Sequence, residues 1–185
     1  MPHQELADRL ALSGLNHEST TFRDGEPVLD LEVTSNRGDC LSHLGVAREI
    51  AVLYDREVCI PEPQPTATGP AIAGQWSLEN LWEEACPRYT ARIVRGVRVG
   101  PSPSWLVKRL AACGIGTVNN IVDITNYVML ECGQPLHAFD LAKLQGGKIV
   151  VRPGRSGESM VAIDHKTYAL NPSMLVIADA IQPVA

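Results

Sequence analysis

The sequence predicts an α+β fold: a small helix-strand-helix segment followed by a mixed, mostly antiparallel β domain with short helices. Short stretches in which apolar and polar residues alternate, the pattern of half-buried strands, are separated by turn-forming residues. Apolar residues at helical spacing occur in a few segments only, and these do not alternate with strands as in parallel βα units. The 185 residues are 45% hydrophobic and 20% charged, an ordinary globular composition that allows a sizeable core.

The N-terminal segment is predicted to contain a helix, a strand and a second helix. Pro2 is suited to open the first helix, and Gly14 to close it in the left-handed conformation. The alternation over Val28–Val33 predicts a strand with one apolar face. Asp39 is a favourable N-cap, so we predict the second helix over Cys40–Tyr54.

A change of composition predicts the domain boundary. Residues 61–74 (PEPQPTATGPAIAG) are rich in Pro, Gly, Ala and Thr and lack hydrophobic periodicity, which is typical of a linker. The formal charge is -5 overall but changes sign along the chain, from -10 over residues 1–86 to +5 over residues 87–185. The predicted N-terminal structural segment, linker and second domain are residues 1–60, 61–84 and 85–185.

The second domain begins with a predicted strand over Tyr89–Val99, in which apolar and basic residues alternate. A short helix is predicted to start at Ser102-Pro103 and stop at Gly114, and another covers Asn120–Glu131. Four further strands are predicted at Lys148–Arg152, Met160–Ile163, Lys166–Leu170 and Met174–Ala178.

Several classes of protein are disfavoured by the sequence. No apolar run reaches the roughly 18 residues of a membrane-spanning helix, and the N-terminus lacks the pattern of a secretory signal. Five cysteines, an odd number without a CxxC pair, disfavour a disulfide framework or a zinc site. We therefore expect a cytoplasmic protein whose cysteines are small, mostly buried hydrophobic residues.

The densest cluster of polar residues runs from Thr125 to Asp140. A threonine hydroxyl and the amide of Asn126 on one helix, with His137 after a Gly-Gln-Pro turn, can bind a polar group and orient a water molecule. A purely structural histidine fits the same pattern. Metal ligation by His137 and Asp140 lacks a third ligand nearby, and Cys132 is better explained as a buried residue than as a nucleophile.

Basic residues are concentrated at the start of the second domain. Residues 87–110 include six basic side chains and no acidic one. On a strand, Arg92 and Arg98 share an exposed face and are candidates for RNA phosphate contacts. A solvated outer face explains these arginines equally well.

Three long stretches together resemble one family. Residues 29–56 (LDLEVTSNRGDCLSHLGVAREIAVLYDR), 85–115 (ACPRYTARIVRGVRVGPSPSWLVKRLAACGI) and 119–144 (NNIVDITNYVMLECGQPLHAFDLAKL) are similar, in the same order, to the beta chain of bacterial phenylalanyl-tRNA synthetases. The third stretch is the most distinctive of that family. The resemblance covers nearly the whole chain outside the linker and identifies an N-terminal segment and part of an editing domain.

The resemblance implies a function for the parent enzyme and for this segment. The parent attaches phenylalanine to tRNA(Phe), using ATP and magnesium, as a heterotetramer of two alpha and two beta subunits, and adenylation takes place on alpha. The beta chain hydrolyses tyrosine wrongly attached to that tRNA. Thr125, Asn126 and Pro135 match positions that line the editing pocket, and His137 matches its candidate catalytic residue. This segment is expected to hold no cofactor or metal of its own.

The sequence departs from the family at several points. Gly38 stands where the family usually has proline, and Gly116-Thr117 stands where it has Arg-Pro. Only a short loop separates Gly14 from Leu29, where many members carry an oligonucleotide-binding domain. The family's glycine-rich loop and tyrosine-recognising glutamate lie beyond Ala185, so we expect a truncated domain that is inactive alone. A non-catalytic module for tRNA binding or subunit packing is the alternative, and a metal- or thiol-dependent hydrolase is a third.

Overall fold

The computed structural model describes residues 2–185 and divides the chain into two compact units, each built from two stretches of sequence. The first unit runs to Gln64 and resumes over Arg98–Ala138, and the second combines Pro65–Val97 with Phe139–Ala185. Helices and small antiparallel and mixed sheets confirm the predicted α+β class. No helix formed by residues 2–185 is long and apolar enough to cross a bilayer.

The first unit contains four helices and a two-stranded hairpin. Its elements are α1 (His3–Leu12), β1 (Asn16–Arg23), β2 (Glu26–Glu32), α2 (His43–Leu53), α3 (Ser104–Ala112) and α4 (Asn120–Cys132). Leu10, Leu15 and Cys40 form the buried centre, and apolar side chains of α1, β2 and α2 pack against it. The amphipathic patterns of these elements therefore meet in one core.

The hairpin of β1 and β2 was only half predicted from the sequence. β1 (NHESTTFR) is polar and lacks an apolar alternation, so it was missed, whereas β2 was predicted. Asp24 and Gly25 join the strands with φ angles of 51° and 82°, and Arg23 pairs with Glu26. Asp-Gly between two strands is a strong signal for this two-residue turn, and it identifies the missing strand.

The second helix begins later than predicted, so the Asp39 cap is wrong. Gly38–Cys40 forms a 3₁₀ turn, and α2 starts only at His43. The hydroxyl of Ser42 accepts a hydrogen bond from the backbone N–H of Gly45 at 3.1 Å. Serine is as good an N-cap as aspartate, and here the hydroxyl lies at the helix end that the chain actually forms.

The second unit contains a three-stranded sheet and a separate hairpin. Its strands are β3 (Ser77–Asn80), β4 (Lys148–Pro153), β5 (Ser159–Val161), β6 (Thr167–Ala169) and β7 (Leu175–Ala178). β4 lies in the middle of the sheet, parallel to β3 and antiparallel to β7, while β5 pairs with β6. β3 lies inside residues 61–84, the predicted linker, because β4 provides a partner for this short stretch.

The predicted strand over Tyr89–Val99 is wrong. Among residues 2–185, no backbone–backbone hydrogen bond involves residues 87–97, and Gly96 has a φ of 71° that interrupts the extended run. Strands form only where a second backbone pairs with them. Alternation alone therefore overpredicted a strand here.

Candidate functional site

Helix α4 carries two of the predicted site residues, and its ends are fixed by side chains and backbone. The Asn119 side chain caps the helix by accepting hydrogen bonds from the N–H groups of Ile121 and Val122. At the other end Gly133 adopts a φ of 80°, the left-handed conformation that glycine favours at a helix C-terminus. Both ends of the helix agree closely with the prediction.

A buried carboxylate holds α4 against the loops that flank α3. Asp123 has no exposed surface, and its oxygens accept hydrogen bonds from the Ser102 hydroxyl at 2.5 Å and the Val118 N–H at 2.8 Å. The Asn120 side chain adds bonds to the backbone of Arg98 and Gly100. The position of Thr125 and Asn126 therefore depends on this polar network.

Replacing Asp123 with alanine is expected to destabilise the first unit by about 1–3 kcal/mol, because the Val118 N–H and the Ser102 hydroxyl lose their acceptor at a partly buried site. Ser102→Ala removes only one of the two donors and should cost less. Urea unfolding followed by circular dichroism measures both. An Asp123→Ala variant as stable as the unchanged chain would contradict this role.

Thr125 and Asn126 lie side by side on α4, and both are half-buried. The Thr125 hydroxyl donates to the Val122 carbonyl at 2.6 Å, so its proton is used inside the helix and its lone pairs remain able to accept. The Asn126 carboxamide makes no hydrogen bond to any part of the chain that the structure describes. The Thr125 hydroxyl, which can accept a hydrogen bond, thus lies beside the Asn126 carboxamide, whose donors and acceptor are both available.

Pro135 and His137 follow the helix on a stretch without regular secondary structure. Both are exposed, and both belong to the same unit as α4. Just before this stretch, the ring N–H of His43 donates to the Leu130 carbonyl at 2.9 Å and joins α2 to the last turn of α4. Convergence of all four predicted residues on one pocket stays a prediction.

Arg92 and Arg98 are both exposed, but they fall in different units and not on a common strand. The shared strand face that suggested a joint phosphate contact is therefore not formed in residues 2–185. Each side chain is individually accessible to solvent, and RNA contact by either one stays a prediction.

The first unit also contains an apolar cleft of about 1030 Å³. Side chains of α1, β2, α2, α3 and α4 line it, among them Leu6, Leu31, Ile50, Leu110 and Leu130. None of Thr125, Asn126, Pro135 and His137 lines this cleft. It is therefore not the predicted pocket.

An ionic cluster that the sequence analysis missed lies beside the start of α2. Among residues 2–185, Asp39, Cys40 and Glu49 are the group whose ligand atoms are close enough to hold a metal ion. The Arg37 guanidinium contacts Asp39 at 2.9 Å, Glu49 at 2.7 Å and the Cys40 sulfur at 3.0 Å. Its hydrogen bond lowers the pKa of Asp39 to about 2. Arg37 thus already pairs with both carboxylates of the cluster, which fits an ion-pair network rather than a metal centre.

Comparison with known proteins identifies the second part of the chain. The sequence model of the B3/4 domain matches residues 85–185, which is more than half of the chain. The chain belongs to the B3/4 domain family. The matched residues include α3 and α4 and therefore Thr125, Asn126, Pro135 and His137.

Relatives of this B3/4 protein confirm the resemblance noted in the sequence. It is 61% identical over 180 residues to a phenylalanine–tRNA ligase beta subunit from Rhodopirellula baltica, covering 97% of this chain and 26% of that protein. Beta subunits from Moorella thermoacetica and Anaeromyxobacter dehalogenans are 51% and 49% identical, over 85% and 82% of this chain and 20% and 19% of theirs. The chain thus spans about a fifth to a quarter of the length of these relatives.

Proposed function

We propose that this chain is the part of a phenylalanine–tRNA ligase beta subunit that edits mischarged tRNA, and that it acts on the ester of tyrosyl-tRNA(Phe). The observation that carries the proposal is the similarity to beta subunits over 97% of the chain. The parent enzyme would attach phenylalanine to tRNA(Phe) with ATP and magnesium, together with an alpha subunit, in the cytoplasm. Adenylation is assigned to alpha, so no residue of this chain is required to hold ATP or magnesium.

A separate editing site has a clear physical purpose. Tyrosine differs from phenylalanine by one hydroxyl group, and an apolar binding pocket rejects an added hydroxyl only weakly. A site that forms hydrogen bonds to the hydroxyl discriminates far better, because phenylalanine leaves the buried polar groups of that site without partners.

The side chains on α4 are suited to hold an aminoacyl group. Asn126 offers two N–H donors and a carbonyl acceptor, none of which bonds within the described chain. Thr125 acts as an acceptor because its proton is donated to Val122. In this proposal they bind polar atoms of the substrate, and the exposed His137 orients the ester or the attacking water.

A second candidate function is a non-catalytic module that contacts RNA or packs against other subunits. The exposure of Arg92 and Arg98, together with the positive charge of residues 87–185, favours this alternative. It predicts that substitutions at these arginines weaken tRNA binding and leave any deacylation rate at saturating tRNA unchanged.

Replacing His137 with alanine is expected to lower deacylation of tyrosyl-tRNA(Phe) about 100-fold or more, the usual contribution of a positioned acid–base group. The assay needs a complete beta subunit. A suitable one is a chimera in which this chain replaces the matching 180 residues of the Rhodopirellula baltica protein, assembled with that organism's alpha subunit.

The control is His165→Asn in the same chimera. His165 is an exposed histidine at the turn between β5 and β6, and asparagine tolerates its positive φ of 63°. Equal loss of activity in both variants, or no loss in His137→Ala, would remove His137 from the proposed mechanism.

A further inference from the structure

Three side chains on the surface of the first unit form an aromatic and cationic cluster that the editing proposal does not use. Trp105 lies in the first turn of α3, Arg109 lies one turn later, and Tyr127 lies on α4. The Trp105 and Tyr127 rings meet edge to face, with centroids 5.5 Å apart. The Arg109 guanidinium carbon lies 5.6 Å from the Trp105 ring and 5.9 Å from the Tyr127 ring.

The cation in this cluster is held in place by a neutral partner. Arg109 donates a hydrogen bond of 2.6 Å to the Tyr127 hydroxyl, and its two ring contacts are within cation–π range. Among the residues that the structure describes, no carboxylate forms an ion pair with Arg109. Its charge is therefore fixed in position and not neutralised.

The surroundings of the cluster are open, and α3 adds a second basic side chain beside Arg109. Trp105 is 54% exposed although it is large and apolar. α3 carries Lys108 and Arg109 and no acidic residue. Lys108 pairs with Asp24 at 2.7 Å, but both side chains are mostly exposed, so the attraction is weak and screened by salt. A negatively charged partner with a flat apolar face matches this surface best.

We propose that Trp105, Arg109 and Tyr127 bind single-stranded RNA, with an unpaired base stacked on Trp105 and a flanking phosphate on Arg109. Aromatic rings bind successive bases because every base has a π face, and arginine contributes both charge and stacking. Exposed Trp, Tyr and Arg are also typical of protein–protein contacts. Because the Arg109 guanidinium is held in place and forms no ion pair with a described carboxylate, it favours RNA, a polyanion, over a protein partner. The proposal rests on the proposed function only in taking RNA as the partner.

The test is binding of a labelled short oligoadenylate, and of uncharged tRNA(Phe), to the chain of 185 residues, measured by fluorescence anisotropy. Trp105→Ala is expected to weaken oligoadenylate binding about tenfold or more, the effect of losing one stacked base. Trp105→Phe should recover most of the affinity because it keeps an aromatic face. Arg109→Gln should make the plot of log affinity against log salt concentration less steep, by the amount that corresponds to the loss of about one phosphate contact.

Matched controls separate stacking from a general loss of structure. Trp82→Phe changes a half-buried tryptophan of the second unit and should leave RNA affinity unchanged. Circular dichroism should be the same for Trp105→Ala and Trp105→Phe, so a difference between them in affinity reports on the aromatic face.

Two results would overturn the proposal. One is oligoadenylate affinity that is absent or is unaffected by Trp105→Ala. The other is a Trp105→Ala variant that binds RNA normally but no longer assembles with the alpha subunit, which would assign the cluster to a protein partner. The binding assay does not depend on deacylation, so it tests this inference separately from the proposed function. If RNA binding depends on Trp105 but the chimera does not deacylate tyrosyl-tRNA(Phe), this inference stands and the proposed function fails.

Discussion

Replacing Gly45 with alanine is expected to lower the free energy of unfolding of the first unit by about 3 kcal/mol or more. The added methyl group would clash with backbone atoms, which cannot move aside as a flexible side chain can. A Cβ at Gly45 would overlap the carbonyl oxygen of Asp39 and press on the backbone of Cys40. The 3₁₀ turn and the first turn of α2 pack too closely for any side chain between them.

Gly38→Ala is the matched control, because a Cβ there would meet no atom within 4 Å. We expect its thermal midpoint to stay close to that of the unchanged chain, while Gly45→Ala melts roughly 10 °C lower or does not fold. Equal midpoints for the two variants would mean that the close approach of the turn and the helix is wrong.

Removing Arg152 is expected to destabilise the second unit by about 3–5 kcal/mol, since it leaves a largely buried carboxylate without its ion-pair partner and with only the Arg155 N–H as a donor. Arg152 is 5% exposed and donates two hydrogen bonds to Glu158, at 2.9 and 2.6 Å, and one to the Pro153 carbonyl. Arg152→Met tests this by urea unfolding at pH 7. Adding Glu158→Leu should recover a large part of the loss, because an apolar pair of similar volume avoids the unpaired charge.

The same pair predicts a dependence on pH. The hydrogen bond from Arg152 outweighs burial and lowers the pKa of Glu158 below its usual 4.5. Its contribution to stability is therefore fully present above pH 4.5 and is lost as the pH falls through the lower folded-state pKa. Arg152→Met should lose much of this acid sensitivity. If the stability of Arg152→Met falls at acidic pH as much as that of the unchanged chain, the Arg152–Glu158 pair is not the cause of the acid sensitivity.

The helices of the site could be predicted because their sequence signals are local. Asn119 and Gly133 mark the two ends of α4, and its apolar spacing lies between them. Pro103 precedes α3 and Gly114 follows it closely, as predicted. Capping and left-handed glycine act over a few residues, so a single sequence is sufficient to locate them.

Features that depend on a distant partner could not be predicted in this way. The residues from Tyr89 to Val99 alternate like a strand, but no described backbone pairs with them. β3 is short and lacks a strong pattern, yet it pairs with β4 about seventy residues later. The clash that requires glycine at position 45, and the network of Arg37 with Glu49, also appear only in three dimensions.

The candidate site was only partly accessible from sequence. The adjacency of Thr125 and Asn126 follows from a helix, but the use of the Thr125 proton within that helix does not. The sequence analysis did not group Trp105 with Arg109, because their shared contact with Tyr127 depends on how α3 packs against α4. Their i, i+4 spacing, together with Tyr127 on a neighbouring helix, is the signal that identifies the aromatic cluster.

The most direct test of the editing proposal compares hydrolysis of tyrosyl-tRNA(Phe) and phenylalanyl-tRNA(Phe) by the chimera that carries this chain. We predict that the tyrosyl ester is hydrolysed at least about 100-fold faster per active site, because only tyrosine satisfies the polar groups of the pocket. Equal rates for the two esters, or no hydrolysis of either by a chimera that still aminoacylates tRNA(Phe), would contradict the proposal and favour the non-catalytic module.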